Sequence, residues 1–229
     1  MNYISKIKVD KNLIIIIFSL VFSFSISFIA KDFFIGGLIL FTSIMNSYLA
    51  SIGKKSSYIT GFISCLLMSY VSFKNNLYGL FFFYAFIFTP FQIYGFINWK
   101  NNEDENNNVK VREFTLKNSI MIVFLCIIGS FILGYFLTLI PNQKLAFMDA
   151  SSNCINLCGV ILMILRFKEA WWVWLANNTI DLIIWIIMAV NKGSGSVMML
   201  LSSLAYLLIN VYGIIKWSIK AKESKTNEK

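Results

Sequence analysis

The sequence predicts an all-α polytopic membrane protein: eight transmembrane helices in two parallel three-helix repeats joined by a linker helix, with one extra N-terminal helix. Three observations predict it. First, 58% of the 229 residues are hydrophobic, and they fall in long unbroken blocks rather than in the periodic patterns of half-buried strands and helices. Second, when eight apolar blocks are threaded back and forth, sixteen of the 20 Lys and Arg residues fall on one side. Only Lys31, Lys74, Lys144 and Lys192 fall on the other. Basic residues concentrate on the cytoplasmic side of a membrane, so both termini are expected there. Third, the chain repeats itself. The fourth block closes on Gln92-Ile93-Tyr94-Gly95-Phe96-Ile97-Asn98-Trp99, and the eighth closes 118 residues later on Asn210-Val211-Tyr212-Gly213-Ile214-Ile215-Lys216-Trp217. Both read (Gln/Asn)-x-Tyr-Gly-x-Ile-x-Trp.

The blocks follow in order. Residues 1–32 hold a basic start, with Lys6, Lys8 and Lys11, and the extra helix from Leu13 to Ala30. A cleaved signal peptide needs a small-x-small site; Phe28 stands two residues before Ala30, so this helix is expected to be retained. Residues 33–99 form the first repeat, with blocks Phe33–Ile52, Ser56–Phe73 and Leu77–Trp99, the last kinked at Pro90. Residues 100–144 begin with a polar stretch whose core reads NNEDENNNVKVRE, expected to be a linker. They continue as the connecting helix Asn118–Ile140, which stops at Pro141. Residues 145–217 form the second repeat, with blocks Leu145–Leu165, Ala170–Val190 and Val197–Trp217, and residues 218–229 are a basic tail. A single helix between two three-helix units makes those units parallel. Transporters built this way hold substrate between the halves, near mid-membrane.

Composition excludes several functions. The net charge of +9 follows from the topology, so no nucleic-acid partner is expected. Histidine is absent, which removes the usual proton relay and metal ligand. Cys65, Cys126, Cys154 and Cys158 all lie inside apolar blocks without a CxxC pair and read as small core hydrophobes. Neither a metal nor a cofactor is expected. Hydrolase, zinc-protease and nucleotide-binding motifs are missing, so the chain reads as a non-enzyme. A membrane scaffold or sensor subunit is the alternative to a transporter.

The polar content of the membrane blocks is concentrated in Trp171-Trp172-Val173-Trp174-Leu175-Ala176-Asn177-Asn178-Thr179-Ile180-Asp181. Amides and carboxylates are costly in hydrocarbon unless they are paired or line a wet cavity. At about 100° per residue, Trp171, Trp174, Asn178, Asp181 and Trp185 share an arc of roughly 80°. A stripe of flat rings with one amide and one carboxylate suits a flat, polar, cationic small molecule. Trp174 lies ~6 Å and Asn178 ~12 Å beyond the helix start, inside the membrane. Trp172 is the natural interfacial anchor. Asn177 points about 100° away from Asn178 and reads as a packing amide. Asp149, Asn153 and Asn156 share a face of the sixth block, from which Asn153 or Asn156 could pair with Asp181. Gln92 and Asn210 are repeat-related amides ~10 Å from the ends of their helices.

The pattern Trp171-x-x-Trp174-x-x-x-Asn178 resembles the signature of the PnuC-type vitamin transporters. Asp149-Ala150, Lys168-Glu169-Ala170 and Tyr212-Gly213-x-x-x-Trp217 are similar to it as well. The resemblance implies a 3+1+3 fold related to the sugar-transporting SWEETs, a homotrimer, and a place in the bacterial cytoplasmic (inner) membrane. It implies uptake of nicotinamide riboside by facilitated diffusion, made one-way by phosphorylation inside the cell. Relatives of the same fold carry thiamine or other vitamins and nucleosides, and the tryptophan stripe alone does not separate them. With this ligand in view, the substrate-binding candidates are Trp171, Trp174, Asn178, Asp181, Gln92, Asn210 and Asn153. Trp174 would stack on the pyridinium and Asn178 would read the carboxamide. Asp181 would meet the ribose or balance the charge. The first repeat departs from the motif: with Lys54 aligned to Lys168, it places Ser57, Thr60 and Ser64 opposite Trp171, Trp174 and Asn178.

Overall fold

The computed structural model describes residues 11–29, 34–74, 81–105, 107–139, 141, 145–190 and 196–227. Lys6, Lys8 and Lys31, together with residues 191–195, lie outside them. Among the described residues the chain forms eight α-helices and no extended strand. They are α1 (Lys11–Ile29), α2 (Ile35–Ser51), α3 (Ser56–Lys74), α4 (Thr89–Lys100), α5 (Leu116–Thr138), α6 (Ala146–Ile164), α7 (Ala170–Val190) and α8 (Ser196–Asn227).

Local sequence explains the ends and breaks. Thr115 caps α5, its hydroxyl accepting from the Asn118 amide. The expected kink at Pro90 takes the form of a π-helical stretch, Phe83–Phe88, that runs straight into α4. Proline lacks an N–H and its ring crowds the preceding turn, so the helix widens just before it. The Tyr84 carbonyl is then shared by the amide and the hydroxyl of Thr89.

The outer surface of the bundle is apolar, and several of its close helix contacts use small residues. On α1, Ser19, Ser23 and Ser27 are buried at four-residue spacing, and α1 packs on α2. Small residues in register let membrane helices approach closely. Phe124, Phe131, Tyr135 and Phe136 of α5 face outward. Segments Asn118–Thr138, Ala146–Ile164, Ala170–Ile187 and Ser202–Glu223 are long and apolar enough to cross a membrane, and shorter apolar helices cover Leu13–Ile29, Ile35–Ser51 and Ser56–Val71.

The two halves grip each other by the same contacts made twice. Helix α2 packs on α8, and α4 packs on α6. The Trp99 indole N–H donates to the Met163 carbonyl at 3.0 Å, and the Trp217 indole N–H donates to the Ala50 carbonyl at 3.1 Å. Both rings are fully buried, with centroids 5.6 Å apart. We call this end of the bundle the latch.

The segment expected to be a plain linker is part of that latch. Val109 and Val111 are buried in the same core as Trp99 and Trp217. The Val109 amide donates to the Gly53 carbonyl, and the Arg112 amide donates to the Arg166 carbonyl. Gly53 and Arg166 both hold positive φ, 76° and 68°. Lys55 pairs with Glu103 at 2.7 Å, and Lys168 pairs with Glu113. Phe114 stacks on Phe167 at 3.7 Å, with the Arg112 guanidinium over the Phe167 ring. Burial, with Arg112 nearby, holds the Arg166 guanidinium below its usual value. Asn-rich composition suggested a loose segment; alternating valines and backbone bonds to both halves make it a strap.

These paired contacts correct the internal alignment. Ala50 and Met163, Gly53 and Arg166, and Lys55 and Lys168 are each 113 residues apart. Lys168 therefore corresponds to Lys55, not Lys54. Adjacent lysines are equivalent by charge, and only the partner acid tells them apart. The positions opposite Trp171, Trp174 and Asn178 become Tyr58, Gly61 and Cys65, one residue on from Ser57, Thr60 and Ser64.

Candidate functional site

A cavity of about 430 Å³ lies between the halves, next to the latch, and is lined from both. That size suits a small organic ligand. Helix α7 supplies Trp171, Trp174, Asn177, Asn178, Asp181 and Trp185. The helical period puts the tryptophans, Asn178 and Asp181 on one face, as their spacing predicts. Gln92 comes from α4 and Asn210 from α8. The remaining candidate, Asn153, is on an exposed face of α6 and does not line the cavity. Its neighbour Asn156 does line it. The Asp149 side chain is outside the described residues.

Each residue is held in a recognisable way. Trp171 is 2% exposed, lies over Gly213 and meets the Trp217 ring edge-on at 5.9 Å. It thus joins cavity to latch. Trp172 is 58% exposed, facing away from the bundle. Trp174 lies against Gly159 of α6. Asp181 accepts from the Ser152 hydroxyl of α6 at 2.5 Å and from the Asn177 amide at 3.0 Å. Ser152 and Asn177 are therefore among its partners. Asn177, expected to pack away from the site, both lines the cavity and orients the carboxylate, because residues four apart on a helix are neighbours.

The opposite wall comes from residues that spacing did not single out. Ser43, Ser64, Ser202, Ser203, Asn46 and Tyr206 all line the cavity. The Ser43 and Ser64 hydroxyls are 2.7 Å apart, and the Asn46 amide donates to the Ser57 carbonyl. Serines of this kind resemble the small residues of any close helix contact, so sequence offers little signal for them. Among the described residues that line the cavity, Asp181 is the only charged one.

Several polar atoms in this cavity are buried and unpartnered. The Trp171 and Trp174 indole N–H groups, the Gln92 Oε1 acceptor and the Asn210 Nδ2 donor have no hydrogen-bond partner. A buried polar group without a partner costs about 1–3 kcal/mol. Four of the eight such atoms among the described residues belong to residues that line this one cavity.

Fold and cavity together define a bundle of apolar, membrane-type helices with a polar-lined cavity between two halves. The chain belongs to the nicotinamide mononucleotide transporter family, whose model matches residues 33–219. It is 29% identical over 171 residues to the nicotinamide riboside transporter PnuC of Neisseria mucosa. That match covers 72% of this chain and 65% of the Neisseria protein, so the chain spans a little under two thirds of that relative's length. It is 26% identical over 179 residues to the nicotinamide riboside transporter PnuC of Haemophilus influenzae, covering 77% of this chain and 75% of that one. A crystal structure described as the vitamin B3 transporter PnuC shares the fold, with a TM-score of 0.76 over 92% of both chains at 24% identity.

Proposed function

We propose that this protein carries nicotinamide riboside across the cytoplasmic membrane by facilitated diffusion, with phosphorylation inside the cell drawing the flow inward. In this reading eight helices span the membrane as two parallel three-helix repeats, with α5 between them and α1 as the extra helix. Both termini and the latch face the cytoplasm, and the assembly is a homotrimer, as the family resemblance implies.

The observation that carries the proposal is the set of four buried, unpartnered polar atoms around a cavity that holds one carboxylate and no Lys or Arg. Nicotinamide riboside is a flat cation with a carboxamide and a ribose. The Trp174 face meets the cation, at about 2 kcal/mol when desolvated. Asp181 balances the charge from a fixed position. Asn178, Trp171 and the serine wall offer hydrogen bonds to the sugar. A nucleotide would bring a phosphate, for which the lining offers no basic side chain. The riboside is therefore favoured over the mononucleotide of the family's name.

The test is uptake into liposomes that contain only this protein, with proton and sodium gradients collapsed. Labelled nicotinamide riboside should equilibrate across the bilayer, while nicotinamide mononucleotide and thiamine stay outside. Loss of uptake on collapsing the gradients would refute diffusion. Faster entry of thiamine or of the mononucleotide would refute the substrate.

A further inference from the structure

The strap has a second face that the latch does not use. In extended backbone, successive side chains point to opposite sides. Val109 and Val111 are buried in the core, while Lys110 and Arg112 are exposed. The α6–α7 turn brings a third basic group beside them. The Arg112 amide donates to the Arg166 carbonyl at 2.8 Å, and the Arg112 carbonyl accepts from the Lys168 amide at 3.0 Å. The Arg166 guanidinium donates through Nη1 to the Lys110 carbonyl at 3.3 Å. The Arg112 guanidinium lies over the Phe167 ring, 4.5 Å from its centroid. All three basic residues are outside the cavity lining.

The two halves treat their charges differently here. At the first half's turn, Lys55 pairs with Glu103, and the Lys54 and Lys220 ammonium groups donate to the Asn107 and Ile52 carbonyls. At the second half's turn the flanking acids are already engaged: Glu113 pairs with Lys168, and Glu169 accepts from the Phe114 amide. Among the described residues neither Arg112 nor Arg166 pairs with a carboxylate, and the Arg166 Nε is buried without a hydrogen-bond partner. Arg166 also holds φ at 68°, where its counterpart in the first half is Gly53 at 76°. Glycine enters the left-handed region freely, but arginine does so at a cost. Such strain collects at functional sites.

We propose that Arg112 and Arg166, with Lys110 beside them, form an anion site at the latch end of the bundle, and that its ligand is a phosphate group, either of a soluble phosphomonoester or of a lipid headgroup. Phosphate is the anion this set fits. A guanidinium is a planar fork of N–H donors that meets two phosphate oxygens at once, and Lys110 adds a point charge. A single carboxylate would satisfy one arginine and leave the other beside a like charge. A phosphomonoester has nearly two charges and three acceptor oxygens, enough for both. The ligand bridges the strap and the α6–α7 turn, at the seam already closed by the Arg112–Arg166 backbone bond. A ligand that binds only the folded protein stabilises it by mass action. The site is independent of what the cavity carries, and its test leaves nicotinamide riboside out.

The experiment follows thermal unfolding of the whole chain in nanodiscs of neutral phosphatidylcholine, at fixed ionic strength. One arm titrates glycerol 3-phosphate against sodium chloride. The other replaces part of the lipid with phosphatidic acid and adds no soluble phosphate. In at least one arm the parent should unfold about 2–4 °C higher. Arg112→Gln and Arg166→Gly should each remove that shift, through an affinity loss of about tenfold or more. Lys100→Gln takes the same charge from the end of α4 and should keep the shift. Without phosphate, Arg166→Gly should unfold near the parent temperature, because the ease of glycine in the left-handed region offsets the lost bond to Lys110. Loss of the shift in that variant is then not loss of the fold. A shift in the first arm alone assigns the site to a soluble phosphomonoester, and in the second alone to a lipid headgroup; a shift in both assigns it to phosphate from either source. The proposal is overturned if the parent gains nothing in either arm, if both arginine variants keep the shift, or if Lys100→Gln loses it as fully as they do.

Discussion

Two pairs of tryptophans in this chain sit in opposite situations although all four are near the same end of the bundle. Trp99 and Trp217 are wholly buried, and each gives its N–H to a backbone carbonyl of the other half. Trp171 and Trp174 bury their N–H groups with nothing to accept them. A satisfied buried indole is a fastener: it trades water for a carbonyl and holds two helices together. An unsatisfied one is a standing cost, which in the proposed reading a ligand would offset. Trp171, edge-on to Trp217 at 5.9 Å, is where the two situations meet.

The largest expected effect breaks the fastener. Trp217→Ala removes a fully buried ring and one of the hydrogen bonds that the Ala50 carbonyl accepts, a loss of about 3–5 kcal/mol. Trp217→Phe keeps most of the ring and should lose about 1 kcal/mol. Thermal unfolding in detergent reads both. If Trp217→Ala unfolds at the parent temperature, the latch does not hold the halves.

The middle effect sharpens the other side. Trp174→Ala should weaken nicotinamide riboside binding by about thirtyfold, the equivalent of about 2 kcal/mol, through loss of the ring face. The unfolding temperature should fall far less than for Trp217→Ala, because the lost group lines a cavity. Calorimetry and unfolding on the same samples decide it. Equal losses of stability in the two variants would erase the distinction between fastener and site.

Much of this was legible from residues alone. The spacing of Trp171, Trp174, Asn178 and Asp181 places them on one face, since a helix has a fixed period and polar groups in an apolar block must face something polar. The matching ends of α4 and α8 point to Gln92 and Asn210 together. What spacing could not convey is contact between distant segments. Asn153 and Asn156 look equivalent on one helix, and only packing sends one outward and one into the cavity. Asn177 looks displaced from the stripe until its bond to Asp181 is seen. The strap looks like a linker because Asn and charge dominate it, while Val109 and Val111 are the residues that dock.

The smallest effect tests the register of the two halves. Lys55 and Lys168 occupy the same place, 113 residues apart, and each reaches an acid of the strap. Both lysines are roughly a third exposed, so solvent screens the pairs and each should contribute only ~0.2–1 kcal/mol. Magnitude alone would not identify them; coupling does. A double-mutant cycle of Lys55→Ala with Glu103→Gln should show an interaction energy of that size, and so should Lys168→Ala with Glu113→Gln. The Lys54 ammonium reaches the Asn107 carbonyl. The cycle of Lys54→Ala with Glu103→Gln should show a smaller coupling than that of Lys55→Ala with Glu103→Gln. If Lys54 couples to Glu103 and Lys55 does not, the halves align one residue earlier. Ser57, Thr60 and Ser64 would then return as the counterparts of Trp171, Trp174 and Asn178. High salt should shrink both true couplings together, since equivalent sites on two related halves feel the same screening.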